Sequence, residues 1–107
     1  MNLKPSILIA EDDSSFGMVL QSYLAINDFE VTLLPTGTEA LSHFKRKNFD
    51  LCILDVMMPD MDGFTLAEQI KHIDESIPFM FLTAKSLKED QIKGYTLGAI
   101  DLSLIHI

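Results

Sequence analysis

Four short apolar runs, at residues 7–10, 31–34, 51–54 and 79–82, lack helical periodicity and predict buried strands. Between them apolar residues recur at three- and four-residue spacing, which predicts amphipathic helices. Phe16, Val19, Leu20, Tyr23 and Leu24 make one stripe, and Ala40, Leu41 and Phe44 a second. Leu66, Ile70 and Ile73 make a third, and Ile92, Tyr95 and Leu97 a weaker fourth. Ser14 or Ser15 is the expected cap of the first helix and Thr38 of the second; Asn27-Asp28, Pro35-Thr36-Gly37 and residues 59–63 carry turn chemistry. Strand and helix therefore alternate. Helix-length connections force parallel pairing, and right-handed crossovers put helices on both faces of one sheet. The expected fold is α/β, a doubly wound parallel sheet.

With 107 residues there is room for one domain, and 48% hydrophobic against 22% charged residues supports a packed core. Sixteen acids against eight bases give a net charge of −8, which disfavours direct nucleic-acid binding and suits cations or basic partner surfaces. Cys52 lies inside an apolar run and reads as a core residue with no disulfide partner, in keeping with a reducing, cytoplasmic setting. The apolar start, ended by three acids, is too short for a signal segment or a membrane span. His43 and His72 lack zinc spacing, and Lys45-Arg46-Lys47 reads as a solvated helix end.

Ligands of an open parallel sheet bind beyond the carboxyl ends of its strands. There the chain places Glu11, Asp12 and Asp13 after the first strand, Asp55 at the end of the third and Thr83 at the end of the fourth. Alone, the first three acids are more often a solvated loop with capping roles; together with Asp55 they would repel unless bound protons or a hard cation such as Mg²⁺ compensate, and the cation is the simpler explanation. Asp55 ends the apolar strand Leu51-Cys52-Ile53-Leu54, which makes it the acid best placed to attack phosphorus. Asp60-Met61-Asp62-Gly63 lacks the alternating ligands and closing Glu of a calcium loop, and Met57, Met58 and Met61 are expected to pack within theirs.

The strings ILIAEDD, LCILDVMMPDMDGF, FLTAK and GAID, in this order and spacing, resemble the landmarks of response-regulator receiver domains of two-component signalling, the chemotaxis regulators among them. The similarity runs over residues 4–101. It implies strand order 2-1-3-4-5, with Asp55 as phospho-acceptor and metal ligand, Asp12 as a direct Mg²⁺ ligand, Glu11 acting through water and the Met57 backbone carbonyl as third protein ligand. Thr83 matches the hydroxyl that binds a phosphoryl oxygen once Asp55 is modified. A sensor histidine kinase is the implied partner, with homodimerisation in the full-length protein, and winged-helix transcriptional regulators are a leaning from FLTAKSLKED and KGYTLGAID. The domain itself is not expected to be a turnover enzyme, to contact nucleic acid or to enter a membrane.

The pattern breaks after Asp101. Leu102 stands where the family has an aromatic residue, Ile105 where it has a phosphate-binding lysine and His106 where it has a proline. Residues 102–107 read as a translated sequencing-library adapter, so the receiver is expected to occupy residues 1–101, followed by a non-native tail, with the last strand incomplete and the last helix missing. Two other functions stay open: an interaction module that works without phosphorylation, and, more weakly, a haloacid-dehalogenase-like phosphatase, whose second acid is replaced by Met57. A nucleotide-binding module is weaker still, because the first strand is followed by no glycine-rich turn.

Overall fold

The computed structural model describes residues 4–83 and 103–106. Strands β1 (Ser6–Ala10), β2 (Glu30–Leu34), β3 (Leu51–Asp55), β4 (Phe79–Thr83) and β5 (Ser103–His106) form one sheet in the order β2-β1-β3-β4-β5, with every pair parallel. Helices α1 (Ser14–Ile26), α2 (Gly37–Arg46) and α3 (Gly63–Ile73) make the described crossovers. The first four strands coincide with the predicted apolar runs and reach one residue beyond each of them. β5 is one residue shorter than the others and is drawn from the stretch expected to be a tail. The fourth predicted stripe, at Ile92, Tyr95 and Leu97, lies outside the described residues.

Alternation along the strands sorts the core into two layers. Leu8, Ala10, Cys52, Leu54, Phe79 and Phe81 face α2 and α3, where they pack with Ala40, Phe44, Phe64, Leu66 and Ile70. Ile7, Ile9, Ile53 and Leu82 face the other way, toward Phe16, Leu20 and Leu24 of α1. Each fully buried side chain of this size is worth roughly 1.5–3 kcal/mol of transfer free energy, so the doubly wound arrangement follows from having two apolar sheet faces to cover. Phe64 and Phe81 meet with ring centroids 4.7 Å apart and bind α3 to β4.

Three local expectations need correction. Val19 and Tyr23 are 67% and 64% exposed, so the inward stripe of α1 is the narrower Phe16–Leu20–Leu24 row. Gly17 is buried in α1, where an added Cβ would stand 3.1 Å from Leu33, and this close approach turns Val19 and Tyr23 outward. Ile73, expected to face inward on α3, is 48% exposed. Neither serine caps α1 and Thr38 does not cap α2. Asp13 accepts from the Phe16 amide at 3.1 Å, and Thr36 accepts from the Glu39 amide at 3.1 Å while its hydroxyl donates to the Glu39 carboxylate. In both cases the acceptor lies one or two residues earlier than expected, because a cap must reach the amide three positions on. Asp28, in the turn expected after α1, takes the left-handed conformation with φ 69°. Cys52 is fully buried, and burial pushes its thiol pKa far up, which leaves it inert. Among the described residues no helix is long and apolar enough to cross a membrane.

Candidate metal centre

The acids predicted at the strand ends do converge. Glu11 is held as a continuation of β1, because its amide donates to the Leu34 carbonyl of β2 at 3.0 Å. Glu11 is 4% exposed, and one carboxylate oxygen accepts from the Asp13 amide at 2.9 Å, which closes the turn into α1. Asp12 projects from the same turn into solvent. Asp55 closes β3, in register with Leu82, and the next amide, Val56, extends the pairing to the Leu82 carbonyl at 2.9 Å. Asp55 as a whole is 9% exposed, and its Oδ1 accepts from the Met57 amide at 3.2 Å.

One carboxylate oxygen from each of Glu11, Asp12 and Asp55 lies within 4.8 Å of the others. Burial, then the carboxyls of Asp12 and Glu11, push the pKa of Asp55 up to about 8. Glu11 is raised as well, chiefly by burial, although the Asp13 amide works against this. Three negative groups crowd together with few hydrogen-bond donors, and they can relieve the repulsion by holding protons or by holding a cation. Hard oxygen ligands with one member open to solvent fit a magnesium-like ion that keeps part of its water shell.

The other expected site residues are placed less completely. The Met57 backbone lies beside the Asp55 carboxylate, while its side chain is 56% exposed and does not pack, unlike those of Met58 and Met61. Thr83 ends β4, in register with His106 on β5, and Leu82 pairs with Ile105. Asp13 belongs to the cap and not to the carboxylate cluster.

Two residues that sequence reasoning left as turn chemistry shape the site. Gly63 begins α3 directly beneath Asp55. Its amide donates to the Val56 carbonyl at 3.0 Å, and a Cβ there would run into the backbone carbonyl of Asp55. Only a residue without a side chain lets α3 start so close to the reactive strand end. Asp60 accepts from the amides of Gly37 and Thr38 at 3.1 and 2.9 Å and from the Thr38 hydroxyl at 2.5 Å, which holds its pKa down at about 2. Its position in an Asp-Met-Asp-Gly turn was the available signal, but its partner lies more than twenty residues upstream.

A parallel sheet of this order, with acids gathered at the ends of β1 and β3, defines a receiver-type α/β domain. The family model for the response regulator receiver domain matches residues 7–103, and the chain belongs to that family. It is 45% identical over 101 residues to the transcriptional regulatory protein RprY of Bacteroides fragilis, covering 94% of this chain and 43% of that one. Its backbone matches chemotaxis protein CheY4 of Vibrio cholerae with a TM-score of 0.90 at 25% identity, covering 97% and 87% of the two chains. It also matches response regulator TrrA of Thermotoga maritima, solved in complex with Mg(2+)-BeF, with a TM-score of 0.85 at 27% identity, covering 96% and 87%. The chain spans less than half the length of RprY.

Proposed function

We propose that this chain is a signalling module that accepts a phosphoryl group from a sensor histidine kinase onto Asp55, and that in the full-length, cytoplasmic and homodimeric protein the modification regulates transcription. The observation that carries the reading is the meeting of the Glu11, Asp12 and Asp55 carboxylates within 4.8 Å at one sheet edge, with the pKa of Asp55 pushed up to about 8. The relatedness to a transcriptional regulator and to a receiver bound to Mg(2+)-BeF supports it.

Asp12 and Asp55 would bind Mg²⁺ directly, the Met57 carbonyl would supply a third ligand, and Glu11 would act through water. The ion would neutralise charge on the transferred group and hold it in line with the nucleophile. An Asp55 oxygen attacks phosphorus, the bond from phosphorus to the kinase imidazole breaks, and an aspartyl phosphate forms. β3 keeps that oxygen at a constant place by pairing on both sides. The Thr83 hydroxyl would then donate to a phosphoryl oxygen, a stronger acceptor than the carboxylate it replaces, and draw the end of β4 inward. The chain accepts one group and loses it slowly by hydrolysis, so it is not a turnover enzyme. Residues 1–101 would form most of this unit, with residues 102–107 a non-native end whose short β5 lies at the sheet edge.

Incubation with acetyl phosphate and Mg²⁺, read by intact mass, tests this. A single phosphoryl adduct on the wild type that disappears in Asp55→Asn is the expected outcome. An adduct that persists in Asp55→Asn defeats the assignment. A second reading, an interaction module independent of phosphorylation, is favoured by one observation: Ile105 stands where the family's lysine is expected. No adduct on a folded wild type that binds Mg²⁺ would favour it.

A further inference from the structure

We propose that Asp60 is a positioning residue for the phosphoryl-accepting site: by gripping the N-terminus of α2 it holds the β3–α3 loop, and with it the Met57 backbone, in the arrangement that binds the metal. The inference rests on the reading of Asp55, Asp12 and Met57 given above.

The first amides of a helix have no partner within it, and most helices satisfy them from the residue just before. α2 divides the task. Thr36 serves the Glu39 amide, while the amides of Gly37 and Thr38 both donate to Asp60, which lies 22 or 23 residues further along the chain. The Thr38 hydroxyl adds a third bond to the same carboxylate. Gly37 has little room for a side chain, since a Cβ there would stand 2.9 Å from the Cβ of Met61. The loop is therefore pressed against the start of α2 as well as bonded to it, an observation independent of the carboxylate.

Four residues separate Asp60 from Asp55. Val56 is anchored by the Leu82 and Gly63 backbones, Met58 is buried, and Pro59 restricts both its own φ and the conformation of Met58. Met57 is thus spanned by two anchors, the end of β3 and the Asp60 clasp, with one stiff dipeptide between it and the clasp. Its amide already reaches Asp55 Oδ1, so a rotation of this segment moves a metal ligand and a nucleophile contact together. The Thr38 hydroxyl, and then the Thr38 and Gly37 amides at the helix N-terminus, favour Asp60 as a carboxylate.

The test compares Asp60→Ala, Asp60→Asn and Thr38→Val in the full chain. Three quantities are measured: thermal unfolding without metal, the Mg²⁺ dissociation constant followed by NMR, and the rate of acetyl phosphate labelling as a function of Mg²⁺. Partners that orient a metal's ligands are worth about 10-fold in affinity, so Asp60→Ala is expected to raise the dissociation constant by about that factor. Its labelling rate should fall at low Mg²⁺ and recover at saturating Mg²⁺. Asn keeps an acceptor that helix amides use well and is expected to retain most of the affinity. Thr38→Val removes one bond of three and is expected to raise the constant, by less than Asp60→Ala does.

Equal losses in Asn and Ala would assign the effect to the charge of Asp60 and overturn the proposal. So would a lower unfolding temperature in Asp60→Ala with an unchanged dissociation constant. If Asp60→Ala does not fold, Thr38→Val decides: an unchanged constant overturns the clasp. A wild type that binds no Mg²⁺ and takes no label on Asp55 fails the underlying reading instead, a result distinguishable from any of these.

Discussion

Two regions rich in carboxylates sit a few residues apart and behave in opposite ways. At the edge of the sheet, Glu11 and Asp55 are buried, face each other and Asp12, and have their pKa values pushed up. At the helix N-termini, Asp13, Asp60 and Asp62 each turn to backbone amides, and Asp60 is pushed down to about 2. The carboxylate group is the same; the supply of donors differs. Helix amides satisfy the second group, and those acids hold the scaffold together. The first group is short of donors and gains most from a cation, so the destabilised region is the one suited to chemistry.

The sharpest break of this contrast is Asp55→Asn. Removing one of three crowded charges should abolish labelling and the stabilisation by Mg²⁺. It should also raise the stability of the metal-free protein at about pH 9 by up to about 4 kcal/mol, the repulsion of like charges near 4 Å at an effective dielectric constant of about 20. Denaturant unfolding with and without Mg²⁺ checks it, and a loss of metal-free stability would contradict it.

Gly63→Ala attacks the join between the two regions, because the new methyl meets the carbonyl of Asp55. Overpacking of this kind costs about 1–3 kcal/mol. Since the backbone that must yield carries Asp55, Mg²⁺ affinity should fall along with the melting temperature, while Gly17→Ala, whose Cβ crowds the movable Leu33 side chain and lies at an ordinary contact distance of 3.5 Å from the Glu11 Cγ, should lower affinity much less.

The pH profile of stability should show both regions at once. Asp55 has a folded pKa of about 8 against an ordinary 3.8, so the folded state holds the extra proton between them. That contribution is present below 3.8 and is lost as pH rises through about 8. Asp60 runs the other way: its contribution is present above 3.8 and is lost as pH falls through about 2. Metal-free stability should therefore be bounded on both sides, and saturating Mg²⁺ should lift only the alkaline limb, by about 2.7 kcal/mol at a hundredfold excess over its dissociation constant. Melting curves across the range check this, and equal lifting of both limbs would count against it.

The smallest effects belong to the satisfied acids. Asp62 caps α3 through the Thr65 amide and hydroxyl, and Asp62→Ala should cost about 1 kcal/mol; Asp13→Ala, at a more exposed cap, should cost about 0.5 kcal/mol. Neither should change Mg²⁺ affinity by more than about twofold, a limit that titration of the folded variants can check.

Strand positions, the parallel alternation and the gathering of Glu11, Asp12 and Asp55 were legible in the chain itself, because each depends on local patterning and on the rule that ligands bind at the carboxyl edge of such a sheet. The outward turn of Val19 and Tyr23 was not, since every residue of an apolar stripe looks alike until Leu33 fills the space beside Gly17. The caps were misplaced by one or two residues, because several neighbouring side chains could each have reached an amide. What the amino-acid order determined by itself was therefore the first four strands, the three described helices between them and the carboxylates gathered at the ends of β1 and β3. Only tertiary structure decided which carboxylates found donors and which were left facing one another, because hydrogen bonds such as those from Gly37 and Thr38 to Asp60 span more than twenty residues and leave no local trace.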